Sequence, residues 1–507
     1  MNCQNLLDAW RRRAGEAVAR PEACQAVALA DAFMAATGDD VAGESGCIDF
    51  LCELALDERF AAAALDALYG RIVEPLCDDF SAAGVRRCNL VLRRVIDFVR
   101  QTEQGGGMHA RLLALGLPDS AALGQRHDRL LLRPPVLVSA RDRCRVRRVL
   151  VLSRVTVGAD IVITSVMVQR LLAVLPNAEV VVVGPAHLPQ CFAGLERVRC
   201  LYLPYERNGS LIQRLVVWES LEKLLRGECE GFVPGEMLLM DPDSRLSQLG
   251  LLPLLAEEET CFFPSRLNPD PAQNPSLNDL VNGWLDTLFG EKSWRPPAVY
   301  LPAIAQRQGE VFAEDLRRNG CRHLVVINCG VGGDDAKRLG EPFETLLPLA
   351  LLARCQDTVV ILDCGCASDE KERVRGQLDG YRAAGIATDF VEEGELADKK
   401  IGFWHGVIGF HGSIGAIGGL IAGAEVFFGY DSCCQHLAGA LEVPSVIVFA
   451  GAPNPRFAAR WRPYDATGRT VVIPVADAST LDVSAVAALV EQVAAAMNKI
   501  MTKEKAL

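Results

Sequence analysis

Short β-branched runs alternating with helical stretches organise the chain from about residue 146 onward. VRRVLVLSRV, AEVVVVGP and RVRCLYLPY form a first block. RHLVVINCG (322–330), DTVVILDCG, ATDFVEEG, AEVFFGYD and PSVIVFAG form a second. This alternation predicts an α/β protein with a parallel sheet in each block. Before residue 140 the strand signal is weak and helices dominate. CNLVLRRVIDFVRQTEQ (88–104) is amphipathic at helical spacing, QGGGMH (104–109) stops it, and the Arg11 to Arg13 patch reads as a solvated helix face. A Pro/Asn-rich passage (Pro264 to Pro302) and the helical EVFAEDLRRNG separate the two blocks. SAVAALVEQVAAAMNKIM reads as a terminal helix able to cross back. The chain therefore divides into a helical domain (1–143), a first open α/β domain (144–310) and a second (311–507) that carries the terminal helix.

Composition narrows this picture. A length of 507 residues suits about three domains, and a half-hydrophobic chain with few aromatics suits large buried sheets. The net charge of −12 argues against a general nucleic-acid surface and gives no attraction to anionic lipid. The eighteen cysteines include no C-x-x-C pair, so they read as reduced thiols in small core positions. MNCQNLLDAWRRRAG has no apolar h-region, and no run of eighteen apolar residues occurs. The expectation is a cytoplasmic protein, at most peripheral to the inner membrane.

The most informative stretch is DSCCQHLAGALEVPSVIVFAGAP (431–453). An acid and a hydroxyl follow an apolar run, a His lies five residues after the Asp, and a small-residue helix leads through Pro444 to another strand. Strand, tight turn and helix N-terminus place a hydroxyl, free N–H groups and an imidazole at the positive end of a helix dipole. An anionic group such as a diphosphate binds in such a place. An ordinary βαβ unit with a buried His has the same outline. The stretch resembles the signature of glycosyltransferase family 9, the heptosyltransferases of lipopolysaccharide core synthesis. Asp431, Ser432, His436, Leu437, Ala438, Ala440, Pro444 and Phe449 match it, while Cys433 stands where the family has Gly. A side chain at that point would crowd the diphosphate or shift the loop. The resemblance spans roughly residues 146–475. It implies the GT-B architecture, two Rossmann-like domains whose parallel sheets face a cleft, here preceded by an extra α-helical domain.

Further residues follow from the same resemblance. VLVLSRVTVGADIVITSVMVQRLLAVLPNAEVVVVG is similar to the family's opening, with Thr164, Pro176 and Ala178 in register from Asp160 and Ala159 in place of a Gly. It implies that Asp160 is the general base, facing the cleft, where desolvation raises its pKa. The same Asp could instead cap a helix beginning at Ile161. Gly330, Gly332 and Gly333 allow close backbone approach to phosphate. Lys337 stands where the family contacts the donor phosphates, although a Lys beside an Asp pair also fits a surface, and Leu339 and Cys329 replace the family's Trp and Pro. Asp369 or Glu370 could accept bonds from ribose hydroxyls or form a solvated charge run. Ser413 lies in the segment that borders the nucleotide. Asp241, Asp243 and Arg245 fall on the acceptor side, where they could bind a hydroxylated or anionic acceptor, and turn chemistry accounts for them equally. Cys329, Cys364, Cys366, Cys433 and Cys434 fall at strand ends. Thiolates there could hold a soft metal, but no ligand spacing appears and none is expected.

The resemblance thus implies an inverting, metal-independent glycosyltransferase with no cofactor beyond a nucleotide-sugar co-substrate such as ADP-heptose. The acceptor would be a hydroxyl of a surface glycan or protein. Asp160 would take the hydroxyl proton, and Lys337, Ser432 and His436 would stabilise the leaving diphosphate. Two other readings stand beside it. One is a protein O-glycosyltransferase of the autotransporter heptosyltransferase kind, with the helical domain holding the polypeptide. The other is a non-catalytic nucleotide-sugar-binding scaffold, favoured by Ala159, Leu339 and Cys433. The helical domain's apolar faces could make a homo-oligomer, meet a partner or cover the first lobe.

Overall fold

The computed structural model describes residues 23–36, 41–132, 137, 139–268, 270, 273–365 and 368–503. The Arg11 to Arg13 patch and Cys366 lie outside them. Two parallel sheets form the α/β part. The first holds β1 (Arg148–Leu152), β2 (Glu179–Gly184), β3 (Val198–Tyr202), β4 (Met237–Asp241) and β5 (Thr260–Phe262) in the order β3-β2-β1-β4-β5. Helices cover both faces, so β1, β2 and β4 are apolar and buried almost throughout. The strand order reverses between β1 and β4, and the loops after these strands open where a ligand crevice forms.

The second sheet holds β6 (His323–Asn328), β7 (Thr358–Asp363), β8 (Thr388–Glu392), β9 (Gly406–His411), β10 (Val426–Tyr430), β11 (Ser445–Ala450) and β12 (Val471–Val475). Its order is β12-β11-β10-β6-β7-β9-β8, and it reverses between β6 and β10. The Gly-rich turn after β6 and the Asp431 turn after β10 are therefore neighbours at the switch point. With the sheets facing one cleft, this is the GT-B arrangement.

The helical part does not form a separate lobe. Its core runs into that of the first lobe through Leu211, Leu215, Trp218, Leu249, Leu251 and Leu252. The Trp218 indole N–H donates to the Pro253 carbonyl at 2.8 Å. Its apolar faces thus cover the first lobe. The helix Ala82–Val99 starts at Ser81, whose hydroxyl accepts from the Gly84 N–H at 2.9 Å. It stops before the glycine run, which opens the next helix, Gly106–Ala114, rather than ending the helical pattern.

The helix Ala303–Arg318 packs on Ile414–Ala422, so the second lobe begins ahead of residue 311. A Cβ on Gly309 would lie 2.3 Å from the backbone of Gly419, so the crossing requires a residue without a side chain. The terminal helix Val483–Lys503 packs on Phe343–Arg354 and stays on the second lobe instead of crossing to the first. Val157–Val174 and Val483–Thr502 have the length and composition of membrane spans. The first is mostly buried in the first lobe's core, and the second places one face on the second lobe.

Candidate functional site

A cavity of about 650 Å³ lies between the carboxyl edges of the two sheets, with the helical part as a third wall. This is the volume and location of a small-molecule site in an open α/β fold. On the second-lobe wall, β10 ends at Tyr430 and Asp431 turns the chain into the helix Cys433–Ala440. Asp431 is nearly buried: Lys337 Nζ donates to its Oδ2 at 2.6 Å and Gln435 Nε2 to its Oδ1 at 2.7 Å. Burial opposes the charge of Lys337, but Asp431 outweighs it and holds the ammonium above its usual pKa. Lys337 also lies 4.9 Å over the Phe457 ring.

His436 sits one turn into the helix, against Trp461 at 5.7 Å between rings. Burial pulls its pKa down to about 4, with Asp431 acting in the opposite sense. It is therefore a neutral imidazole at pH 7 and acts as a hydrogen-bonding group rather than as a cation. Its Nδ1 is buried with no partner among the described residues. The Ser432 hydroxyl faces Asn328 Oδ1 at 3.4 Å. Gly330, Gly332 and Gly333 line the cavity, the latter two with left-handed φ of 64° and 90°. Asp369 and Glu370 are on the same wall, the Glu370 carboxylate packing against Gly330 and Gly365. Ser413 is not: its hydroxyl caps the helix Ile414–Ala422 and donates to Glu393.

Cys433 lines the cavity, and the first lobe approaches it closely through Gly158. A Cβ on Gly158 would lie 2.9 Å from His436 Cδ2 and 3.3 Å from Cys433 Cα. The glycine that permits close approach here belongs to the first lobe. Of the strand-end cysteines, Cys433 and Cys434 have sulfurs 4.0 Å apart. Among the described residues no three His, Cys, Asp or Glu side chains converge as metal ligands.

Three first-lobe positions differ from expectation. Asp160 does not face the cavity. Its fully buried carboxylate accepts from Ser153 Oγ at 2.6 Å, the Arg154 N–H at 2.8 Å and Thr164 Oγ1 at 2.8 Å, and His187 Nε2 lies 2.9 Å away. Nor does it cap a helix at Ile161, because the helix already runs from Val157 behind the N-cap Thr156 and becomes π-helical over Asp160–Thr164. Its bonds fix the turn that presents Arg154 and Gly158. Asp241 and Asp243 are buried as well. Asp241 accepts from the Ser244 N–H at 2.8 Å, and Asp243 accepts from Arg266 at 2.8 and 3.0 Å. Arg245 does line the cavity.

The helical part contributes Glu74, Cys77, Asp78 and Phe80 to the wall, and nothing in the sequence pointed to them. Asp78 ends the helix Glu74–Asp78, and its backbone carbonyl accepts from Asn454 Nδ2 at 3.1 Å. Its carboxylate makes no hydrogen bond to a described residue. Burial raises its pKa to about 7, helped by Cys77 and Glu74 and opposed by Lys337 and Arg245. Arg154, Asn328 and Asp363 were also missed, although each stands at or just beyond a strand end, where ligands gather. Asn328 donates to Asp363 at 2.7 Å, and burial lifts Asp363 to about 6.

No protein-family profile matches the chain, and no curated protein matches it significantly. Solved structures do. A glycosyl transferase of family 9 from Veillonella parvula DSM 2008 is 16% identical, with TM-score 0.49, covering 70% of this chain and 98% of its own. E. coli ADP-heptose lps heptosyltransferase II is 15% identical, with TM-score 0.44 and coverage of 71% and 99%. E. coli heptosyltransferase WaaC with ADP is 16% identical, with TM-score 0.44 and coverage of 68% and 99%. Identities this low assign no activity, and the fold stands on the two sheets and their cleft.

Proposed function

We propose that this protein is a glycosyltransferase that binds a nucleotide-activated sugar in the cleft and transfers the sugar to a hydroxyl, with inversion, in the cytoplasm. The observation that carries the reading is the second lobe's switch point. There Lys337 and a neutral His436, whose Nδ1 has no partner among the described residues, meet the first turn of the helix Cys433–Ala440 beside a glycine turn with open space around it. Such a set of donors suits a leaving diphosphate. ADP-heptose is the donor that the motif resemblance suggests, with Asp369 and Glu370 toward its ribose.

Attack by the acceptor oxygen on the anomeric carbon breaks the bond to the diphosphate, whose growing charge Lys337 and the helix N–H groups offset. The proton lost by the hydroxyl requires a carboxylate with free lone pairs. Asp160 has its own committed to four neighbours, whereas Asp78 presents them to the cavity. Asp78 is therefore assigned the base and Asp160 the positioning of the Arg154–Gly158 turn. The wall formed by the helical part also favours a protein acceptor as a second reading.

The test is release of nucleoside diphosphate from a panel of nucleotide sugars, with and without glycan or co-expressed protein acceptors. Release from one nucleotide sugar that requires Lys337 supports the proposal. Binding without release in every acceptor condition would leave a scaffold.

A further inference from the structure

Four of the five strands of the first sheet deliver an arginine to the cavity from their carboxyl ends. Arg154 follows β1, Arg207 follows β3, Arg245 follows β4 and Arg266 follows β5. The remaining strand, β2, is followed by His187, which is bound to Asp160. Within a chain of net charge −12, this edge is a concentrated cationic wall.

The carboxylates on this side do not balance it. Asp243 is held by Arg266 and lies 3.9 Å from Arg154. Glu74 accepts from Arg207 at 2.8 Å and lies 3.9 Å from Arg245, beyond hydrogen-bond reach. The third acid is Asp78. Arg154 is fixed by the Pro242 carbonyl and Ser265 Oγ, and the one carboxylate beside it, Asp243, is shared with Arg266. Arg266 is almost wholly buried, yet its Nη1 has no partner among the described residues. The Arg245 guanidinium donates no hydrogen bond to a described residue, its nearest carboxylate being that of Glu74 at 3.9 Å. Guanidinium groups gathered at the end of a sheet, one with an orphaned buried donor and one making only a long ion pair, form a site that can take an anion.

We infer that the row of Arg154, Arg245 and Arg266 binds a phosphate or carboxylate group of a cleft ligand. The anion belongs either to the donor's diphosphate, reached across the cleft, or to an acidic substituent of the acceptor. The inference rests on the transfer reading only for which molecule carries the anion, not for its being bound.

The test is calorimetric titration of the full chain with inorganic pyrophosphate, ADP, adenosine and a hexose phosphate. It is repeated for Arg245→Met, Arg154→Met and, as a control, the exposed Arg307→Met. Arg245 has the fewest bonds to lose, so its variant keeps the fold even if Arg154→Met does not. The expected result is pyrophosphate binding that falls about tenfold or more in Arg245→Met, with unchanged melting temperature and no change in the control. A parallel fall for ADP assigns the anion to the donor. An unchanged ADP affinity with a fall for hexose phosphate assigns it to the acceptor. Binding of pyrophosphate without any nucleotide would keep the arginine site and remove the transfer reading. Equal binding of all anions by wild type and Arg245→Met, or none by wild type, would overturn the inference.

Discussion

Asp78→Asn keeps the shape of a side chain on the cleft wall and removes its ability to take a proton, so it separates chemistry from packing. Burial raises the Asp78 pKa to about 7, with Cys77 and Glu74 adding to the shift and Lys337 and Arg245 reducing it. The folded protein therefore holds this proton more tightly than the unfolded chain. The associated stability is present in full below about pH 4 and is lost as the pH rises through about 7. A rise of about three pH units corresponds to about 4 kcal/mol as an upper bound, and solvent reaching the half-buried carboxylate reduces this to about 2 kcal/mol. Asn carries no such penalty, so the variant should match wild type in denaturant at pH 4.5 and exceed it by about that amount at pH 8. Activity should move the other way. Wild-type transfer should rise with pH through about 7 as the base ionises, and the variant should lose about 10²–10⁴-fold with a flattened acid limb. Urea titrations at the two pH values and initial rates across pH 5–9 give both readouts. A variant within threefold of wild type that keeps the same acid limb would refute the assignment of the base.

Other substitutions test neighbouring parts of the account. Lys337→Met should weaken nucleoside diphosphate binding by about 10–100-fold, the worth of a charge-assisted bond, as measured by calorimetry. Asp160→Ala removes the acceptor for three buried donors and His187, and should cost about 3 kcal/mol or more in chemical denaturation, whatever its effect on turnover. Gly309→Leu would drive a side chain into the backbone of Gly419 and should destabilise the second lobe by about 3 kcal/mol, whereas Gly283→Ala, with open space around it, should be tolerated.

The parts of the fold that were legible in the sequence are those where one physical signal dominates. β1, β2, β6, β7, β10 and β11 are apolar β-branched runs, and each was recognisable. β5 has three residues, β9 is broken by two glycines, and β12 is an edge strand interrupted by Pro474, which argues against a strand. β4 has the apolar run MLLMD, which contains no β-branched or aromatic residue and so lacks the strand signal of its neighbours. The second-lobe site was legible because its residues lie on two short loops that a parallel sheet places side by side. The first-lobe carboxylates were not, since sequence shows where a residue stands in the chain but not which way its side chain turns. Asp160 and Asp241 turn inward to donors of their own loops, and Asp243 turns to Ser265 and Arg266 of the loop after β5. Glu74, Cys77, Asp78 and Phe80 escaped for a different reason. They reach the cleft through tertiary packing of the helical part, which leaves no mark on helical periodicity.

The central claim, a nucleoside diphosphate site at the second lobe's switch point, is tested most directly by calorimetric titration of ADP, UDP, GDP and CDP. Wild type, Lys337→Met and His436→Ala are compared. The account predicts that one nucleoside diphosphate binds the wild type and that both variants bind it at least tenfold more weakly while remaining folded at the temperature of the titration. Wild-type protein that binds none of the four, or variants that bind as tightly as wild type, would contradict it.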